Sequence, residues 1–151
     1  MKVFEFRQEQ LLKGDPEDIW VFFSTPANLN ALTPTDLKFE ISSSLEPEMY
    51  PGQIICYRIE LFPGIKWPWV TEITQVQAGR YFVDEQRFGP YAFWHHKHFF
   101  EALGDRVRMT DHVHYALPFD PLGRLFHQAI HNRLEHIFSY RYQILEQKYH
   151  P

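Results

Sequence analysis

One long C-terminal helix constrains what this chain can fold into more than any other feature. Asp120-Pro121 opens a stretch, roughly residues 120–147, in which Leu122, Leu125, Phe126, Ala129, Ile130, Leu134, Ile137, Phe138 and Leu145 recur three and four residues apart. That is the spacing of one helical face. An N-cap Asp accepts hydrogen bonds from the orphan amides of the first turn, and proline at the first helical position gives up an N–H that has no partner there. Gln128, Asn132, Glu135, Ser139 and Gln143 lie on the other face, while Arg133 and Arg141 fall near the apolar stripe. Such a helix is on the order of 40 Å long at 1.5 Å per residue. It needs a broad apolar partner, and the hundred residues before it read as strands. A curved antiparallel sheet is the expected cover.

The strands follow from alternation. Residues 3–12 place Phe4 and Phe6 opposite Glu5, Arg7 and Glu9. Asp15-Pro16-Glu17-Asp18 then starts a short helix, and Thr25-Pro26 starts a second that Thr33-Pro34 ends. Alternation resumes at 37–41, 55–61, 67–76, 81–87, 91–102 and 106–117, separated by Gly- and Pro-containing turns. Pro68 marks an edge or irregular start in the fourth strand. Short loops between consecutive strands favour a meander. The expectation is an α+β fold: a seven-stranded antiparallel sheet around the C-terminal helix, with two short helices after strand 1, in one domain spanning 1–151.

Composition narrows the function classes. The formal net charge of −4 argues against a nucleic-acid partner, which would want a basic field. Cys56 is the only cysteine, so no internal disulfide forms; it reads as a small buried hydrophobe in a strand, and a reducing, cytoplasmic setting fits. The charged, alternating N-terminus has no signal-peptide character, and no uncharged run is long enough for stable membrane insertion. Aromatics make up 17% of the residues, enough to fill a wide core or line a large pocket.

Several strings, in this order, resemble a known family. They are Asp15-Pro16-Glu17-Asp18-Ile19-Trp20, Trp69-Val70-Thr71-Glu72-Ile73, Phe82-Val83-Asp84-Glu85-Gln86, Gly89-Pro90-Tyr91 with Trp94-His95-His96, and Leu117-Pro118-Phe119 with Pro121-Leu122-Gly123. Together with element order and length they resemble the START-like, or SRPBCC, ligand-binding superfamily with its helix-grip fold. The resemblance covers essentially the whole chain and points to the small polyketide cyclase/dehydrase-like and lipid-transport-like members. It implies an apolar or amphipathic small molecule held between sheet and helix. Fold alone does not set the chemistry.

The unusual chemistry lies between residues 84 and 115, which hold five of the nine histidines. Strand alternation puts Trp94, His96, His98 and Phe100 on one face, and Phe82, Asp84 and Gln86 on one face of the preceding strand. In the last strand Asp111 shares a face with Val107, Met109, Val113 and Tyr115. With these faces turned to the helix, Asp84, Gln86, His96, His98 and Asp111 become polar groups on an aromatic wall. Buried polar groups without partners cost about 1–3 kcal/mol each, so they bond to one another, to water or to a ligand. Phe82, Trp94, Phe100, Phe126, Ile130 and Phe138 complete the expected cavity wall.

Competing chemistries are weaker. The pairs His96/His98 and His112/His114 have the spacing that puts two imidazoles on one strand face, as in some metal sites. The two pairs fall on opposite faces, however, and the glycine and glutamate spacing of a cupin is absent; no metal and no cofactor are expected. No phosphate-cradling glycine loop or nucleophile elbow occurs. The 62–69 segment, with Trp67 and Trp69, reads either as an aromatic loop at the cavity mouth or as a strand turning a Trp inward. His127 and His131 read as a helix edge. The expected function is binding of a hydrophobic or amphipathic small molecule, with transport as an extension of it; whether a reaction is catalysed stays open. The alternative is a small cyclase, dehydratase or hydrolase using His and Asp of the same wall, its catalytic residues undefined. An interaction module whose aromatics fill the core is a third class. The sequence leaves the ligand and the oligomeric state open.

Overall fold

The computed structural model describes residues 1–150. β1 (Phe4–Lys13) leads into α1 (Pro16–Phe23), followed by two 3-10 turns, Pro26–Leu32 and Thr35–Leu37. The strands β2 (Glu40–Ile41), β3 (Gln53–Phe62), β4 (Ile65–Gln77), β5 (Tyr81–Phe88), β6 (Phe93–Leu103) and β7 (Arg106–Ala116) come next. A 3-10 turn, Leu122–Phe126, runs into α2 (His127–Lys148). The seven strands form one antiparallel sheet in the order β1-β7-β6-β5-β4-β3-β2. Hairpin-length loops make β3 to β7 neighbours in sequence order, and β1 closes on β7 from Phe4↔Tyr115 to Lys13↔Arg106. No helix is long and apolar enough to cross a membrane among the described residues.

Local chemistry explains most boundaries. Asp15 accepts from the amides of Glu17 at 2.8 Å and Asp18 at 3.3 Å, and Pro16 takes the first helical position of α1. Pro68 pairs with Arg58 on the β3 side; β5 joins β4 only from Val70, so the proline lies where the other edge of β4 is unpaired.

Three expectations are corrected. The α-helical part of the C-terminal segment begins at His127, not at Asp120. Asp120 caps nothing: its carboxylate is taken by Arg124 and the N-terminal amine, and Pro121 flanks a 3-10 turn instead. The expected second strand shrinks to Glu40–Ile41, because Leu37 is buried in a 3-10 turn and Lys38 takes a left-handed conformation (φ 45°) that breaks the alternation. Cys56 is half-buried rather than buried.

The core forms two apolar clusters. The first gathers Trp69, Tyr91, Trp94, Val113, Tyr115, Leu134 and Phe138; the second, under α1, gathers Leu12, Phe23, Phe82, Phe100, Met109 and Leu145. Between them runs a polar belt, and each element contributes to it at the crossing point. On β6, His96 and His98 lie between Trp94 and Phe100; on β7, Asp111 lies between Val113 and Met109; on α2, Arg141 lies between Phe138 and Leu145.

Candidate functional site

A cavity of about 140 Å³ opens between the sheet and α2, roofed by Phe22 to Thr33 from the α1 region. Ile55, Tyr57, Ile59 and Leu61 of β3, with Trp69, Thr71 and Ile73 of β4, form its floor; Leu134, Ile137 and Phe138 come from α2. Alternation accounts for this wall, since each set shares one strand face. Its polar end consists of Asp84, His96, His98 and Arg141.

Register builds that end. β5 and β6 pair Asp84 with His96 and Phe82 with His98, and β6 and β7 pair His98 with Asp111. The two imidazoles lie face to tilted face, centroids 3.6 Å apart, between two carboxylates. Asp84 Oδ2 is 2.6 Å from His98 Nε2 and 3.4 Å from His96 Nδ1. Asp111 Oδ1 is 2.8 Å from His96 Nε2 and 3.3 Å from His98 Nδ1. Trp94 Nε1 donates to Asp84 Oδ1 at 3.2 Å. Arg141 approaches Asp111 Oδ2 through Nε at 3.4 Å and His98 Nδ1 through Nη2 at 3.4 Å. Phe82 stacks on His98, with centroids 4.0 Å apart.

The electrostatics oppose burial at each carboxylate. Burial lifts the Asp111 carboxyl, but the Arg141 guanidinium and the two imidazoles outweigh it and hold the group well below the usual carboxylate range. Burial likewise lifts Asp84, and His96, His98 and the Trp94 N–H overcome it. For His96 burial wins: with His98 beside it, the imidazole falls below its ordinary value despite both carboxylates.

The structure brings Phe82, Asp84, Trp94, His96, His98 and Phe138 to the cavity wall. Asp111 is 2% exposed and stands behind the imidazoles, outside the wall. Phe100 is buried in the second cluster against Trp20 and Phe23. Gln86 turns away to clamp the next loop, donating to the Tyr91 carbonyl at 2.7 Å and accepting from its amide at 3.1 Å. Ile130 packs half-buried at the edge of the first cluster. Phe126 is 66% exposed, because it belongs to the 3-10 turn rather than to the packed helical face. Sequence reasoning left Arg141 out of the expected wall, although an arginine in phase with Leu134, Phe138 and Leu145 was its signal. It also omitted Tyr57 and Trp69, whose strand alternation points them inward. Trp69 is buried and Trp67 exposed, so the 62–69 segment turns one indole inward. His127 stacks on Phe4, with centroids 3.8 Å apart.

No family model matches the sequence, and a search of curated proteins returns no match. Solved structures do match. The ZhuI aromatase/cyclase from Streptomyces sp. R1128 superposes with a TM-score of 0.74 at 10% identity, over 97% of this chain and 93% of that one. TTHA0849 from Thermus thermophilus gives 0.72 at 16% identity, over 95% of both chains. The major latex-like protein 151 of Panax ginseng gives 0.68 at 12% identity, over 99% of both. Sheet order, the short helices after β1 and the long C-terminal helix agree with these structures. The chain has the helix-grip fold that these structures share.

Proposed function

We propose that this protein binds a small amphipathic molecule in the cavity, with its apolar body among the aromatic side chains and its polar end on Asp84, His96, His98 and Arg141. One observation carries the reading: a space walled by apolar side chains ends on a cluster of polar groups, with His96, His98 and Arg141 buried and Asp84 half-buried. Small-molecule sites combine these two features, apolar bulk for affinity and a few convergent polar groups for orientation. A dry cavity of about 150 Å³ accommodates a benzene-sized body. The cavity as folded therefore suits a single ring or a short chain, and a larger ligand requires the α1 roof to move.

Catalysis of the cyclase kind is the second reading. It is favoured by His96 held between two carboxylates, Asp111 on Nε2 and Asp84, a wall residue, 3.4 Å from Nδ1, an arrangement suited to moving a proton. One fold neighbour is an aromatase/cyclase by name. Turnover of a polyketone-like substrate, lost in His96→Gln with the fold retained, would move the protein to that class.

Native mass spectrometry of untagged protein, followed by organic extraction, tests the binding reading. A co-purified apolar species, or saturable displacement of an apolar fluorescent probe, is expected. Ile137→Trp, which fills the cavity from α2, should abolish probe binding while the thermal melt stays cooperative. Wild-type protein that binds neither probe nor lipid would overturn the reading.

A further inference from the structure

We propose that Asp84, His96 and His98 bind one divalent transition-metal ion of the zinc class at the polar end of the cavity. Their donor atoms all lie within 4.8 Å of one another. One carboxylate and two imidazoles suit a borderline-soft ion that keeps coordination positions open. Bonds of about 2.0–2.1 Å in tetrahedral array place neighbouring donors roughly 3.4 Å apart. Asp84 Oδ2 and His96 Nδ1 already stand at 3.4 Å, and Asp84 Oδ2 and His98 Nε2 need to part from 2.6 Å.

The groups behind the donors make the stronger case. A metal-bound imidazole donates its other N–H to a carboxylate or carbonyl, which fixes tautomer and ring direction. Here the far nitrogens of both imidazoles meet one oxygen, Asp111 Oδ1, at 2.8 and 3.3 Å. The Trp94 indole occupies Asp84 Oδ1, leaving Oδ2 for the imidazoles. Arg141 Nη2 reaches His98 Nδ1 and can only donate, so in the metal-free protein the His98 proton sits on Nε2 and is given to Asp84 Oδ2 at 2.6 Å. A bound cation takes the place of that proton, with His96 Nδ1 3.4 Å from the same carboxylate oxygen. Charge agrees: Asp84 and Asp111 against Arg141, with neutral imidazoles, sum to −2 + 1 = −1. A dication bearing one anionic oxygen donor brings the belt to neutrality. All three ligands line the cavity, so the open positions face it. The chemistry favours an oxygen donor of a small molecule, such as a carboxylate or enolate, at those positions.

A second triple, Glu5, His112 and His114, lies on the outer face of the sheet. There Glu5 is exposed, and Arg7 and Lys97 flank His112 in register, so like charge opposes a dication.

The test uses metal alone and untagged protein stripped with chelator, so its failure leaves the apolar-ligand reading untouched, and failure of the probe assay leaves the metal site untouched. Zinc titration against a chromophoric chelator should show one equivalent bound. Cobalt(II) should give the intense visible bands of a four- or five-coordinate site. Asp84→Asn and His98→Gln should each weaken binding at least tenfold with the thermal melt of the metal-free protein still cooperative. His112→Gln with His114→Gln should change nothing. Absence of saturable one-to-one binding would overturn the proposal, as would binding that survives both inner substitutions or disappears with the outer pair.

Discussion

Asp111→Asn removes one charge from the centre of the polar belt while keeping shape and an oxygen acceptor. Asp111 and Arg141 are 2% and 6% exposed, and the guanidinium lies 3.4 Å from Oδ2. Arginine does not give up its proton in a protein. After the substitution its charge stays buried, with Asp84 as the remaining counter-charge on the far side of His98. Removing one partner of a buried pair costs about 3–5 kcal/mol. A chain of this size loses about 2–4 °C of Tm per kcal/mol, so the melt should fall by roughly 6–20 °C. Urea unfolding followed by far-ultraviolet circular dichroism, in chelator to exclude metal linkage, measures the loss directly. Arg141→Met and the double variant complete a cycle, in which the double variant should lose less than the two singles together, by about 0.5–3 kcal/mol. A loss below about 1 kcal/mol for Asp111→Asn, or strict additivity, would mean that Arg141 reaches water or another acceptor and that the belt is not one charge-paired unit.

Substitutions at three further positions probe the frame around the site. Gly123→Ala should cost about 1–3 kcal/mol in urea unfolding, because a Cβ there would run into the Pro118 carbonyl oxygen and sit 3.3 Å from Leu117 Cβ, neither the free end of a flexible side chain. Asp15→Ala should cost about 1 kcal/mol through loss of the α1 cap, and Asp15→Asn should recover most of it. His127→Phe tests a pH dependence. Burial, His131 and Lys2 hold the His127 imidazole below its ordinary value, so the unfolded chain takes the proton first as pH falls. The stability it supports is complete above about 6.5 and is lost as the pH falls through the folded value. Wild-type stability should therefore drop more steeply between about pH 7.5 and 5.5 than that of His127→Phe, measured by urea midpoints; parallel curves would refute the assignment.

Much of this was legible in residue spacing. The stripe of α2 appears in the sequence as Leu134, Phe138, Arg141 and Leu145, the four buried positions of that helix. Strand alternation turns His96 and His98 inward and His112 and His114 outward, because period two leaves no other choice within one unbroken strand. The start of the helix was not legible: Asp-Pro has the same local signature whether its carboxylate caps amides or binds Arg124. Gln86 shows a similar limit, since its clamp on Tyr91 depends on a loop conformation rather than on strand period. The pairing of Asp84 with His98 and of Asp111 with His96 was beyond reach. It depends on register, which turn lengths and the two irregularities of the β4–β5 ladder set together. Arg141 joins them only through the translation of α2 against the sheet.

The belt itself raises the question of why five polar side chains interrupt a core that apolar residues already close on either side. Stability does not answer it. Replacing a buried ion cluster by apolar side chains of similar volume is often neutral, or stabilising by about 1–4 kcal/mol. A chain carrying Asp84→Leu, His96→Phe, His98→Phe, Asp111→Leu and Arg141→Met would join the two apolar clusters across the belt. It should unfold at a urea concentration no lower than wild type, yet bind no zinc and lose discrimination for polar-ended ligands. If that variant unfolded well below wild type instead, the belt would be what sets α2 against the sheet, and its imidazoles would need no ligand to explain them. A stable variant without ligand or metal binding would show the opposite: the polar groups are a cost that the fold carries for the site.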